Sequence, residues 1–229
     1  QNRKCALTDA RVCPKFALMN PELTYTVPAR QTAAGSLDIF AHAFERYIVR
    51  SQEGVLRDHL CESIMQTVIE ELPVVLADPA SKEGRNELMW TTMAHSNMIG
   101  FEGDYACHAV SHIFTELFGL SHGEALAILM PAWCCMMSSR EPEFMKKFFS
   151  HVWHAEGGDD EALLWDGVKR FYRFISSCGL ATTLKEAGFI NVDTDRVTDK
   201  VLQGETQFIG GGFQKLYRQD VKNLIELCL

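Results

Sequence analysis

Asp38 and His42 stand four positions apart, and His108 and His112 repeat the interval further along the chain. In a helix that interval brings both side chains out on one face. His122 follows the turn Phe118-Gly119-Leu120-Ser121, where another helix opens at Gly123. All of these residues interrupt apolar stretches, and a buried carboxylate or imidazole is costly unless it is paired, hydrogen-bonded or bound to metal. Each piece alone reads most simply as a hydrogen-bonded pair or a helix cap. Together, one carboxylate and three imidazoles are a donor set suited to zinc or ferrous iron. Spacing alone leaves open whether His108 or His112 belongs to that set.

The elements that must position these donors are helical. From Gln31 onward, apolar residues recur at the spacing of one helix face. Gln31–Arg50 carries Leu37, Phe40, Ala41, Phe44 and Tyr47 on one face, and Leu56–Leu76 repeats the pattern with Leu60, Ile64, Val68 and Leu72. Further helices are predicted over Glu83–Met98, Asp104–Phe118, Ser121–Met137, Glu141–Val152, Glu161–Ser177 and Asp220–Leu227. Strand signals are confined to Lys4–Leu7 and Lys15–Met19, separated by Thr8-Asp9-Ala10 and closed by Asn20-Pro21. The expected architecture is mainly α: a compact all-helical bundle over residues 21–229, preceded by a stub of two strands within residues 1–20. The Gly210-Gly211-Gly212 run follows no predicted strand and lacks the lysine of a phosphate loop, so it is read as a flexible turn before the last helix.

Composition narrows the function. The chain has 229 residues, 47% hydrophobic and 23% charged, with a formal net charge of −8. That is an ordinary globular balance, and the acidic surplus without any basic run argues against nucleic acid as a partner. No apolar stretch reaches the roughly 18 residues of a membrane span. The eight cysteines include no C-x-x-C pair; scattered thiols read as reduced, partly buried and cytosolic. Cys107, beside His108, is the one to watch for oxidation. The opening Gln1-Asn2-Arg3-Lys4 has neither an initiator Met nor a signal-peptide core, so the chain is expected to be cut from something longer.

Two blocks of sequence carry a resemblance. Pro21-Glu22-Leu23-Thr24-Tyr25-Thr26-Val27-Pro28 leads through Gln31 to Asp38-Ile39-Phe40-Ala41-His42-Ala43-Phe44-Glu45. Asp104-Tyr105-Ala106-Cys107-His108-Ala109-Val110-Ser111-His112 runs on to Ser121-His122-Gly123-Glu124-Ala125-Leu126-Ala127-Ile128. Both resemble the iron-containing alcohol dehydrogenase family, in its butanol-dehydrogenase-like branch, and the likeness covers nearly the whole chain. It implies one divalent metal, Fe²⁺ or Zn²⁺, on Asp38, His42, His108 and His122. It also implies that His112 is an unligated catalytic histidine near the nicotinamide, placed to relay a proton or fix the ring. The implied activity is NAD(P)H-linked interconversion of small alcohols and aldehydes. By the same likeness residues 1–20 are the last strands of an N-terminal α/β nucleotide-binding domain absent from the chain, and a homo-oligomer is the expected state. Two local departures accompany the match: the Gly100–Asp104 connection is about two residues short of the family pattern, and Tyr105 stands where it has Trp. Trp90, Met98 and Phe101 are candidates for an apolar wall.

Two other readings fit the residues without the resemblance. One is a metal-dependent hydrolase or lyase, for which Glu45, a turn beyond His42, is the nearby general base. The other is a helical metal-binding module without catalysis.

Overall fold

A computed structural model of the chain describes residues 9–12, 14–52, 54–92, 102–203 and 207–229. Among them run α1 (Ala29–Tyr47), α2 (Val55–Ala77), α3 (Lys82–Thr91), α4 (Ala106–Phe118), α5 (His122–Arg140), α6 (Pro142–Trp153), α7 (Asp160–Ser177), α8 (Thr194–Val201) and α9 (Arg218–Leu227), with one hairpin of β1 (Phe208–Gly210) and β2 (Lys215–Tyr217). The molecule is mainly α, as the periodicity predicts. Leu37, Phe40, Ala41, Phe44 and Tyr47 of α1 are fully buried where that helix packs against α2 and α5. Ala125 through Ala132 of α5 are buried on every side, the signature of a central helix. Phe40, Trp153 and Phe171 pack as a tilted aromatic trio, and Phe148 and Phe149 are fully buried with them.

The strand expectation at the N-terminus is overturned where it can be seen. Lys4–Leu7 lies outside the described residues. Lys15–Met19 forms no strand, and Asn20-Pro21 instead opens a short 3-10 turn over Pro21–Thr24, in which Asn20 Oδ1 accepts from the Glu22 amide at 3.0 Å. An apolar run becomes a strand only where a neighbour takes up its backbone bonds, and the described residues offer none there.

The sheet lies instead where a flexible turn is predicted. Gly210 ends β1, and Gly211 and Gly212 begin the connection to β2 in an antiparallel pair with Ile209 opposite Leu216. Gly210 and Gly211 adopt φ of 71° and 120°, a region that suits glycine. The turn is pinned: Asp104 Oδ2 accepts from the Gly211 amide at 3.0 Å and the Phe213 amide at 2.9 Å, while Gly212 O accepts from the Arg50 amide at 2.9 Å. Helix α8 was not anticipated. Its eight residues, TDRVTDKV, carry too few apolar positions to show a period, and the helix is capped by Asp193 accepting from the Arg196 amide.

Candidate metal centre

Three helices bring the donors together, each for a local reason. Asp38 and His42 leave one face of α1. His108 sits in the first turn of α4, which starts later than predicted because Tyr105 takes a left-handed φ of 56°. His122 is the first residue of α5. Gly119, with φ 69°, ends α4, and the Glu124 carboxylate then accepts from the Ser121 amide at 2.9 Å and the Ser121 hydroxyl at 2.7 Å. Arg30 of α1 also donates to Glu124, tying the start of α5 to α1. The two helices meet so closely at Gly123 that a Cβ there would lie 1.9 Å from Ala34 O. Only glycine admits that crossing.

The donors converge on one atom. Asp38 Oδ1 lies 3.6 Å from His42 Nε2, 3.5 Å from His108 Nε2 and 3.5 Å from His122 Nε2. His42 Nε2 and His108 Nε2 are 3.2 Å apart. One donor atom from each of Asp38, His108 and His122 lies within 4.8 Å of the others, and His42 closes the cluster from its side. His112 takes a different position: it is exposed, and its ring stacks on His122 at 5.0 Å and 13°.

This donor set fits a divalent ion. Asp38 Oδ1 is buried and has no hydrogen-bond partner, although an orphaned buried carboxylate oxygen is expensive. Two ligands each about 2.1 Å from a shared tetrahedral ion lie about 3.4 Å apart, which is the spacing seen. The donors are electrostatically coupled. Burial pushes the Asp38 carboxyl up, but the adjacent His108 ring and the charges of His122 and His42 outweigh it and hold the group below its usual range. Burial pulls His108 down, yet contacts with Asp38 and Glu45 raise it to about 9.

Glu45 is not a spare base. It is 1% exposed; its Oε2 is bonded to His108 Nδ1, and its Oε1 accepts from the Cys107 amide at 2.7 Å. The hydrolase reading therefore loses its general base. Cys107 is buried as well, and burial followed by the charge of Glu45 pushes its thiol well above the usual value, so the expectation of an oxidisable thiol does not hold. Of the proposed apolar wall, Trp90 is 55% exposed, while Met98 and Phe101 lie outside the described residues. Tyr105, singled out in the sequence only as standing where the family has Trp, has its ring edge-on to His108 at 5.5 Å and to His42 at 6.2 Å. Ser111 was missed too; it lies 3.0 Å from His122 Nδ1, and its place three residues after His108 is the only signal the sequence offers.

The profile of the Fe-containing alcohol dehydrogenase family, C-terminal, matches residues 32–229. The chain is 31% identical to a probable NADH-dependent butanol dehydrogenase of Bacillus subtilis over 95% of its own length and 57% of the relative's. It is 32% identical to the NADPH-dependent aldehyde reductase YqhD of Escherichia coli over 81% of its length and 49% of the relative's. The structure of that reductase superposes with a TM-score of 0.89 at 27% identity, covering 96% of this chain and 59% of the other. NADH-dependent butanol dehydrogenase A of Thermotoga maritima superposes at 0.87 and 26% identity, covering 97% and 58%. The chain thus spans about half the length of the curated relatives it matches. With the profile reaching from Thr32 in α1 to the last residue, the chain belongs to the iron-containing alcohol dehydrogenase family.

Proposed function

We propose that this chain is the metal-holding half of an NAD(P)H-linked alcohol dehydrogenase or aldehyde reductase. Asp38, His42, His108 and His122 would be the ligands of a single divalent ion, Fe²⁺ or Zn²⁺. The observation that carries the reading is the orphaned Asp38 Oδ1 facing three Nε2 atoms at 3.5–3.6 Å. When bound, such an ion supplies Lewis-acid polarisation of a carbonyl oxygen. The nucleotide, which carries the hydride, would be held by a part of the protein beyond these residues, as the half-length match to the relatives suggests.

The chain's own residues divide the remaining work. Asp38 contributes the one anionic donor, so a divalent ion there keeps net positive charge toward substrate. Tyr105 stands at the edge of the imidazoles and would shape the approach of a small aldehyde. His112, exposed and stacked on His122, would pass a proton between the substrate oxygen and solvent. The relatives named as butanol dehydrogenases and as an aldehyde reductase support a short-chain aldehyde as substrate class.

Elemental analysis of the purified chain tests the centre. Iron or zinc should be present in the parent and absent from Asp38→Ala. Equal metal content in both, or none in the parent, would overturn the reading. For the reaction, the full-length protein bearing these residues should oxidise NAD(P)H with butyraldehyde.

A further inference from the structure

We infer that two buried side chains that touch no substrate, Glu45 and Ser111, are positioning residues. They fix the tautomers of His108 and His122 so that both rings turn a lone pair toward Asp38. The inference rests on the metal reading above and concerns groups outside the ligand set.

The argument is a count of hydrogens. A neutral imidazole carries one N–H and one lone pair, and the partner of one nitrogen decides the state of the other. Glu45 is 1% exposed and lies on α1, three residues beyond His42. An ionised carboxylate only accepts, so the His108 Nδ1 it touches must carry the proton. In the neutral ring that a metal ligand must be, His108 Nε2, facing Asp38 Oδ1 at 3.5 Å, is left with its lone pair. Ser111 is fully buried and sits one turn after His108 on α4. Its single hydroxyl hydrogen is given to His108 O at 2.8 Å. Toward His122 Nδ1, 3.0 Å away, Ser111 can then only accept. His122 Nδ1 is therefore the protonated nitrogen, and Nε2 presents its lone pair to Asp38 Oδ1 at 3.5 Å. Two unrelated groups on two helices impose the same tautomer on two rings. That coincidence is what a metal pocket needs and what a plain hydrogen-bonded core does not.

Glu45 has a second constraint that makes it hard to replace. Its Oε1 accepts from the Cys107 amide at 2.7 Å, and its backbone carbonyl accepts from the Asp104 amide at 2.9 Å. A glutamine of the same shape has two orientations, and both fail. With its oxygen on His108 Nδ1, its NH₂ meets the Cys107 N–H, donor against donor. Flipped, it donates to Nδ1 and forces the proton onto Nε2.

Zinc titration of the chain against a chromogenic chelator reads the effect without any turnover. Partners of this kind alter metal affinity by about 10–100-fold. Glu45→Gln should fall at the upper end of that range and Ser111→Ala toward the lower end. Circular dichroism and thermal unfolding of the metal-free variants separate lost affinity from lost fold. Long-range ¹⁵N–¹H spectra of histidine-labelled, zinc-loaded chain should show Nδ1 protonated on both His108 and His122. Parent-like zinc affinity in both variants, or an Nδ1 ligand on either ring, would overturn the inference while leaving the metal centre intact. A parent chain that binds no zinc or iron points instead to failure of the metal reading itself.

Discussion

Two carboxylate–histidine clusters flank α1, and they are chemically alike but differently satisfied. At its C-terminal end, Glu62 Oε1 accepts from the Tyr47 hydroxyl at 2.8 Å and pairs with His151 Nδ1 at 2.9 Å. Burial, and then the Glu62 hydrogen bond, push the Tyr47 phenol far up, so it stays the donor. Glu62 Oε1 is thus held by two partners, the Tyr47 hydroxyl and the His151 ring. In the middle of the same helix, Asp38 Oδ1 faces three imidazoles and has no hydrogen-bond partner. The lesson is that residue types do not distinguish a structural cluster from a cation site. The orientation of lone pairs does: converging acceptors leave a deficit of positive charge, whereas alternating donors and acceptors close on themselves.

The contrast can be broken or sharpened by substitution. The largest effect is expected at the central cluster: His108→Ala loses the metal, whereas His112→Ala keeps it. Elemental analysis reads both, and equal loss would erase the distinction between the two histidines. Next is Gly123→Ala. A Cβ 1.9 Å from Ala34 O must push α5 off α1, at about 1–3 kcal/mol for overpacking, and His122 moves with it. Both a lower thermal midpoint and weaker zinc binding should follow, and a variant with parent-like values in both would show that the helices yield. At the other cluster, Glu62→Gln should cost about 1–3 kcal/mol of folding stability through the disturbed buried bonds while metal content stays unchanged. Denaturant titration with parallel metal analysis checks this, and loss of metal would mean that the two clusters are coupled. The smallest change is Tyr47→Phe, about 1 kcal/mol, again with full metal content.

The long amphipathic helices were legible because burial on one face leaves a period in the sequence. Leu37, Phe40, Ala41, Phe44 and Tyr47 mark α1 this way, and all are fully buried. The short elements were not. The residues of α8 and of the hairpin are too few to show a period, and their stability comes from contacts made elsewhere, such as Asp104 holding the Gly211 and Phe213 amides. Conversely, Lys15–Met19 has the composition of a strand but no strand partner among the described residues.

By itself, the sequence determined which donors exist and which pairs share a helix face, because a helix turns by a fixed angle per residue. It also determined the family, through two motif blocks in the right order. Tertiary structure alone decided that Asp38 meets three imidazoles from three helices, since that depends on the close α1–α5 crossing that Gly123 permits. It decided the part played by Glu45 as well. Read along the chain, Glu45 is a carboxylate near a histidine and a plausible base. Packed against α4, it is bonded on both oxygens and left with no lone pair aimed at a substrate.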